Sequence, residues 1–366
     1  MSDTFYIART LKLAARGRGT ASPNPMVGAL LVKRGRIIAE GYHKKAGTPH
    51  AEAIAIDKAG RNAKGATLFI SLEPCSHRDK RTPPCTGKII SAGVRKVVVA
   101  MEDPNPRVSG RGLAELEKAG IEVVSGILEE KARRLNEHYI KHITTGLPFV
   151  ILKIAMTLDG KIATPEGESK WITGEKARSA VQRLRAGVDA VMSAIGTVKA
   201  DNPRLTCRIR PDRQPVRVIV DPFLHVGPDA AVLSTPPGTI LVTRKPFGDA
   251  SSVQAEKRTL LDTKNIKVIE YEGERLDLKW LMKKLGDIGI ISVLVEAGSS
   301  FNSSCLENGI VDKVMFFIAP KIIGGKESFP AVGGTSYRKL ADAYRISDMH
   351  AKKIGEDILI EGYIRG

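Results

Sequence analysis

Two short stretches hold the residues best suited to chemistry: PHAEA at 49–53, with His50 and Glu52, and EPCSHRDKRTPPCT at 73–86, with Cys75 and Cys85. One imidazole and two thiolates are three ligands of the kind zinc takes, and a tetrahedral ion held by three protein ligands keeps its fourth position for water. Zinc lowers the pKa of such a water to roughly 7, and a carboxylate at Glu52 can take the proton and pass it to a leaving amine. The chemistry is hydrolytic deamination of an amidine-like ring carbon. Two other readings stand beside it: a structural zinc site completed by His77, and a pair of cysteines that binds no metal. Cys207 and Cys305 lack such company and read as packed thiols.

These residues need elements to position them. His50 follows a Thr-Pro turn and opens the helical pattern AEAIAIDKAG, so His50 and Glu52 project from its first turn toward one cleft. ATLFISL reads as a buried strand, and Pro74-Cys75 opens a loop at its end. Pro83-Pro84-Cys85 closes that loop at the start of the next helix, where proline is tolerated and backbone amides favour a thiolate. A His-x-Glu followed by Pro-Cys is a pattern of zinc nucleobase deaminases. Nine residues separate the two cysteines here, against two in that pattern, so the loop cannot be a simple helical turn.

The chain's 366 residues favour two domains, and their patterns form two α/β units. In the first, ALLVKRGRIIAEG is a hairpin about Lys33 to Arg36. GKIISAG, KVVVAM, LAELEKAG and IEVVSG then alternate as helix, strand, helix and strand, which predicts a largely parallel sheet. The amphipathic stretch EEKARRLNEHYIKHITTG stops at Gly146-Leu147-Pro148, placing the domains at 1–146 and 147–366. The second restarts with FVILKIAMTLDGKIA, a strand with a tight turn at Asp159-Gly160 into another strand. Further α/β alternation follows, and strands from DKVMFFIAPKIIGG to DILIEGYIRG close the sheet with antiparallel edges.

No apolar run approaches the roughly 18 to 20 residues of a membrane span, so a soluble protein without a membrane partner is expected. Four cysteines in a chain too long to need disulfide staples fit the reducing cytoplasm. The net charge is +17, with 25 Lys/Arg against 14 Asp/Glu in residues 1–145 and 32 against 26 in the remainder. Such an excess suits either a polyanion or a phosphorylated small substrate. No long Lys/Arg block or RNA-binding aromatic signature occurs and aromatics are only 5%, which argues against nucleic acid.

SPNPMVGALLV, GYH, PHAEA and LEPCSHRDKRTPPCT together resemble the deaminase half of the bifunctional riboflavin-biosynthesis deaminase/reductases. KIAMTLDGKIA, SKWITG, RLRAGVDAVMSAIGTVKADNPRLTCR and VEAGSSF resemble the reductase half. The resemblance spans essentially the whole chain. It implies a cytidine-deaminase-like zinc domain followed by a dihydrofolate-reductase-like domain. The implied substrate is 2,5-diamino-6-(5-phosphoribosylamino)pyrimidin-4(3H)-one, deaminated at ring carbon 2, after which NADPH reduces the ribosyl chain to ribityl. His50, Cys75 and Cys85 would bind one zinc per deaminase site and Glu52 would shuttle the proton. Asn24 would hydrogen-bond the pyrimidine, and a homo-oligomer, dimer or tetramer, is expected. The loop departs from the family in carrying Arg78, Asp79, Lys80 and Arg81, one residue more than usual. Counted back from TPPC, Arg81 is the phosphate contact, with Lys80 second.

No Gly-x-Gly-x-x-Gly follows a strand in the second half, so its phosphate cradles are sought in AIGTV and VEAGSSFNSS, where small residues precede helices. The resemblance makes Ala155, Trp171, Thr197, Asp201 and Gly298 cofactor contacts, and Lys153, Ser169, Arg185, Leu205, Arg208 and Glu296 substrate contacts. Two rivals belong to other classes. A tRNA-editing deaminase with an accessory module would bind RNA with a steep salt dependence and ignore NADPH. A non-catalytic zinc-stabilised binding protein would leave Glu52 without a purpose.

Overall fold

The computed structural model describes residues 1–76, 84–106, 108–234, 238–245, 266–335 and 339–365. The chain divides into two compact units, Met1–Leu147 and Pro148–Gly366, each with its own sheet and apolar core.

The first unit opens with α1 (Asp3–Ala14), whose N-cap Ser2 accepts the Phe5 amide. β1 (Gly28–Lys33) and β2 (Arg36–Tyr42) pair as the expected hairpin. Arg34 and Gly35 at its tip have φ of 50° and 75°, the left-handed geometry of a two-residue hairpin turn. α2 (Ala51–Ala59), β3 (Thr67–Ile70), α3 (Cys85–Ser91), β4 (Lys96–Val99), α4 (Arg111–Lys118) and β5 (Glu122–Val124) then alternate. The sheet order is β2-β1-β3-β4-β5. β3, β4 and β5 are parallel, as alternation requires, but β1 runs antiparallel to both β2 and β3. The hairpin reverses the chain and the α2 crossover carries it past β1, so this sheet is mixed where a largely parallel one was expected.

Helices lie close on both faces. A side chain at Gly28 would collide with the backbone of α1 at Thr10, and one at Gly41 with the backbone of α2 at Ala51. Gly41 is paired with Ala29, one position along from Gly28, so the two helices take opposite faces of the sheet. The polar stretch after β5 forms α5 (Glu129–Leu135) and α6 (Glu137–Thr145), and the chain leaves α6 through Gly146 at φ 74°.

In the second unit, β6 (Phe149–Thr157), β7 (Lys161–Ala163), α7 (Glu175–Gly187), β8 (Ala190–Ala194), α8 (Ile195–Asp201) and β9 (Val216–Val220) lead to β10 (Thr239–Arg244) and β11 (Lys267–Tyr271). α9 (Leu278–Asp287), β12 (Ser292–Val295), α10 (Ser299–Glu307), β13 (Lys313–Ala319), β14 (Phe329–Pro330), β15 (Arg345–Ile354) and β16 (Asp357–Arg365) complete it. Among the described residues nine strands run in the order β11-β10-β9-β8-β12-β6-β13-β16-β15. The first seven are parallel, and β16 and β15 close the sheet antiparallel, as the strand-rich C-terminal sequence predicts. After the Asp159-Gly160 turn, β7 pairs with β14 in a separate ribbon. Asp159 fixes that turn by accepting the Thr157 hydroxyl at 2.6 Å and the Gly324 amide at 2.7 Å. Cys207 and Cys305 are buried free thiols, and burial pushes Cys305 up to about 12.

Candidate active sites

In the first unit the chain brings three of the expected residues to one point. His50 is the N-cap residue of α2, Cys75 lies just beyond β3, and Cys85 is the first residue of α3. His50 Nδ1 is 3.2 Å from Cys85 Sγ and 3.5 Å from Cys75 Sγ, and the three candidate donor atoms all lie within 4.8 Å of one another. Among the described residues this is the one His/Cys/Asp/Glu group suited to a metal ion. The Thr86 amide donates to the Cys75 carbonyl at 3.3 Å, tying the two cysteine segments together. The hydrogen bond with Cys85 holds the Cys75 thiol well below its ordinary range, while that same contact pushes Cys85 up.

Glu52, in the first turn of α2, is 3% exposed, and its Oε2 has no hydrogen-bond partner among the described residues. Burial raises its pKa, against the pull of His50. A buried carboxylate with one oxygen unsatisfied beside a soft-ligand cluster has the setting in which acid/base groups are found. The donor set and this orphaned oxygen both fit a catalytic zinc.

Asn24 is half-buried, and its Nδ2 lies 3.1 Å from Nε2 of His43, which stacks edge-on against His50 at 5.4 Å between centroids. Burial pushes the His43 pKa down, more than its Pro49 contact lifts it. Arg81, together with Lys80 and His77, lies outside the described residues.

Three further residues hold this site, and reading for chemistry alone passes over them. Asn136, at the break between α5 and α6, accepts the Met26 amide at 2.8 Å and donates to the Met26 carbonyl at 3.0 Å, clamping the segment that carries Asn24. Glu73 accepts backbone amides from Asp103, Gly110 and Gly112 at 3.0, 2.9 and 2.8 Å, which caps α4 and pins the segment after β3, two residues before Cys75. His43 is the third. The available signal was polar side chains inside otherwise apolar or helical runs, which burial forces to find partners.

In the second unit, Lys153 on β6, Arg185 on α7 and Glu296 after β12 converge. Arg185 Nε and Nη2 meet the Glu296 carboxylate at 2.6 and 3.1 Å, Arg185 Nη1 donates to the Thr206 carbonyl at 3.0 Å, and Lys153 Nζ is 3.6 Å from Glu296. Burial alone would raise Glu296, but Arg185 and then Lys153 outweigh it and hold the carboxyl at about 2. Burial pulls Lys153 down despite Glu296, so the carboxylate's charge is committed first to the guanidinium.

The remaining expected residues fall into smaller groups. Asp201 closes α8 and accepts Ser169 Oγ at 3.3 Å. Gly298 lies against Thr197, where an added Cβ would stand 3.8 Å from the threonine hydroxyl. Among the described residues the neighbouring Ser299 Oγ is buried without a partner, and α10 begins with no side-chain cap. A helix start without a side-chain cap, with the Ser299 hydroxyl beside Gly298, fits the phosphates of a dinucleotide. Trp171 is 61% exposed, with Arg178 4.8 Å over its ring. Ala155 lies on β6, Leu205 is buried at φ 51°, and Arg208 is exposed with its backbone amide held by Gln182. Arg208 takes part in no ion pair among the described residues.

Fold and site together define a zinc deaminase unit joined to an α/β reductase unit. Residues 1–101 match the cytidine and deoxycytidylate deaminase zinc-binding region, and residues 148–360 match the RibD C-terminal domain. The riboflavin biosynthesis proteins RibD of Actinobacillus pleuropneumoniae and Aquifex aeolicus are 42% and 43% identical, covering 99% and 98% of this chain and 95% and 97% of their own. RibD of Acinetobacter baumannii superposes with a TM-score of 0.88 at 37% identity, covering 100% of this chain and 99% of that one. A Thermotoga maritima structure described as a diaminohydroxyphosphoribosylaminopyrimidine deaminase/5-amino-6-(5-phosphoribosylamino)uracil reductase gives 0.85 at 36%, covering 99% of each.

The chain belongs to the bifunctional deaminase/reductase family of riboflavin biosynthesis. It is a hydrolase and an oxidoreductase acting on a phosphoribosyl pyrimidine, with zinc and NADPH as cofactors. Among the described residues no helix is long and apolar enough to cross a membrane.

Proposed function

We propose that residues 1–146 carry the deamination and residues 147–366 the reduction, with the roles divided as follows. A zinc ion held by His50, Cys75 and Cys85 would supply the Lewis acidity that makes water a nucleophile at neutral pH. Glu52 Oε2 takes the proton from the attacking water and delivers it to the departing amine. Its raised pKa suits a group that must both accept and give a proton. Asn24 binds the pyrimidine, and Arg81, or Lys80 beside it, is the proposed phosphate contact.

In the second unit NADPH supplies hydride when bound, against Ala155, Trp171, Thr197, Asp201 and Gly298. Ser169, Lys153, Leu205 and Glu296 hold the ribosyl chain, and Arg208 clamps its phosphate. Arg185, whose fork is taken up by Glu296, acts mainly by keeping that carboxylate ionised and oriented. Neither nucleic acid nor membrane has a part in this reading, and the place of action is the cytoplasm. The assembly is a dimer or tetramer of identical chains. β15 ends the nine-stranded sheet with most of its residues exposed, an edge that a second copy can cover.

The observation that carries the deaminase assignment is the buried, unpartnered Glu52 Oε2 beside the His/Cys cluster. Metal analysis of two variants tests it. Glu52→Gln keeps stoichiometric zinc and loses deamination, whereas Cys75→Ser loses both. Loss of zinc from Glu52→Gln would make Glu52 a ligand or a support and remove the proposed role.

A further inference from the structure

Asn24, His43 and Pro49 form a chain of polar contacts beside the metal-ligand cluster. His43 Nδ1 is 3.3 Å from the Pro49 carbonyl oxygen, and Nε2 is 3.1 Å from Asn24 Nδ2. The ring is 2% exposed, so neither nitrogen can exchange its partner for bulk water. A carbonyl only accepts, so the hydrogen of the neutral ring belongs on Nδ1, which leaves Nε2 with a bare lone pair. The part of an asparagine amide that can meet that lone pair is its NH2 group. With the amide flipped, Oδ1 would face Nε2 lone pair to lone pair, with no hydrogen between them.

The amide orientation is thus set by protein atoms, whatever ligand is bound. Oδ1 is the end left over, and it has no partner among the described residues. Asn136 reinforces the arrangement by clamping both backbone polar groups of Met26, two residues from Asn24.

We infer that His43 is a positioning residue for pyrimidine recognition: relayed from the Pro49 carbonyl, its tautomer turns Asn24 Oδ1 toward the substrate, so the site selects a pyrimidinone edge that presents an N–H donor. The inference rests on the proposed placement of Asn24 at the pyrimidine. An edge that offers only acceptors would face Oδ1 with no hydrogen between them.

Deamination kinetics of the full chain on the diaminopyrimidine phosphate, with zinc content measured alongside, test the relay. His43→Phe should raise KM by roughly tenfold, the worth of one well-made polar contact, with kcat within about threefold and zinc retained. His43→Gln, whose amide oxygen can accept where Nε2 stood, should recover KM to within about threefold of wild type. In an Asn24→Ala background, His43→Phe should add less than about twofold, because two residues acting through one contact are not additive. Should His43→Phe not fold, His43→Asn, too short to reach the Nε2 position, takes its place. An equal effect of the His43 substitution with and without Asn24, or an effect confined to zinc and kcat, would overturn the relay while leaving Asn24 at the pyrimidine. An Asn24→Ala enzyme with unchanged KM would remove that placement, and the relay with it.

Discussion

Replacing Glu296 with Gln removes the charge that Arg185 and Lys153 share inside the second unit. The side chains of Arg185, Lys153 and Glu296 are 15%, 14% and 10% exposed, so the two cations left behind are poorly placed to recruit water. Breaking a buried pair from one side costs about 3–5 kcal/mol. The carboxyl gives a consistent figure independently. Held at about 2 against an ordinary 4.5, it accounts for about 3 kcal/mol of folding free energy at neutral pH. For a domain of this size each kcal/mol moves the melting midpoint by about 2–4 °C, so a fall of about 10 °C is expected.

The assay is selective because both tryptophans, Trp171 and Trp280, lie in the second unit, so that indole fluorescence follows that unit alone. The pH dependence fixes the cause. A depressed carboxyl stabilises fully above its unfolded pKa, and the stabilisation disappears as pH falls through the folded value. The gap between wild type and Glu296→Gln should therefore be constant above about pH 5 and close between about pH 4.5 and about pH 2. A shift under 2 °C at pH 7, or a gap that persists undiminished at pH 3, refutes the assignment of the energy to the ionised carboxylate.

Glu73→Gln turns an amide N–H toward backbone donors that now share one carboxylate, at about 1–3 kcal/mol for each left unpaired. Zinc should pass to a competing chelator faster than from wild type while the tryptophan-detected melt is unchanged; an unchanged transfer rate would show that the α4 cap does not steady Cys75. Arg208→Ala should weaken use of the deaminated uracil intermediate by about tenfold to a hundredfold, the worth of a charge-assisted contact, and leave deamination unaltered. Equal damage to both half-reactions would place Arg208 outside the reductase site.

Short-range signals were legible in the sequence and long-range ones were not. The hairpin at Arg34-Gly35 and the helix stop at Gly146 follow from turn chemistry within a few residues. His50, Cys75 and Cys85 stand out in the sequence as soft ligands at helix starts and after a strand, and the structure brings their donor atoms within 4.8 Å of one another. The direction of β1 is different. Alternation fixes which segments are strands, but only the hairpin, together with the crossover that follows it, decides which neighbours run antiparallel. The partner of β7 was hidden for a similar reason, since β14 lies far along the chain and is two residues long. Arg185 and Glu296 stand 111 positions apart, with no periodicity between them, so their pairing, and the way it takes up the Arg185 fork, belongs to tertiary packing. Glu73 and Asn136 were visible as letters. Their work, satisfying backbone groups 30 to 110 residues away, appears only when those groups are buried beside them.

The central claim, two chemically separate sites acting in sequence on one chain, is tested most directly by NADPH consumption in purified Glu52→Gln. Given the diaminopyrimidine phosphate, this enzyme should release no ammonia and oxidise no NADPH. Given the deaminated uracil compound, it should oxidise NADPH at the wild-type rate. NADPH oxidation at the wild-type rate on the diaminopyrimidine, or loss of reduction on the uracil compound, would contradict the account.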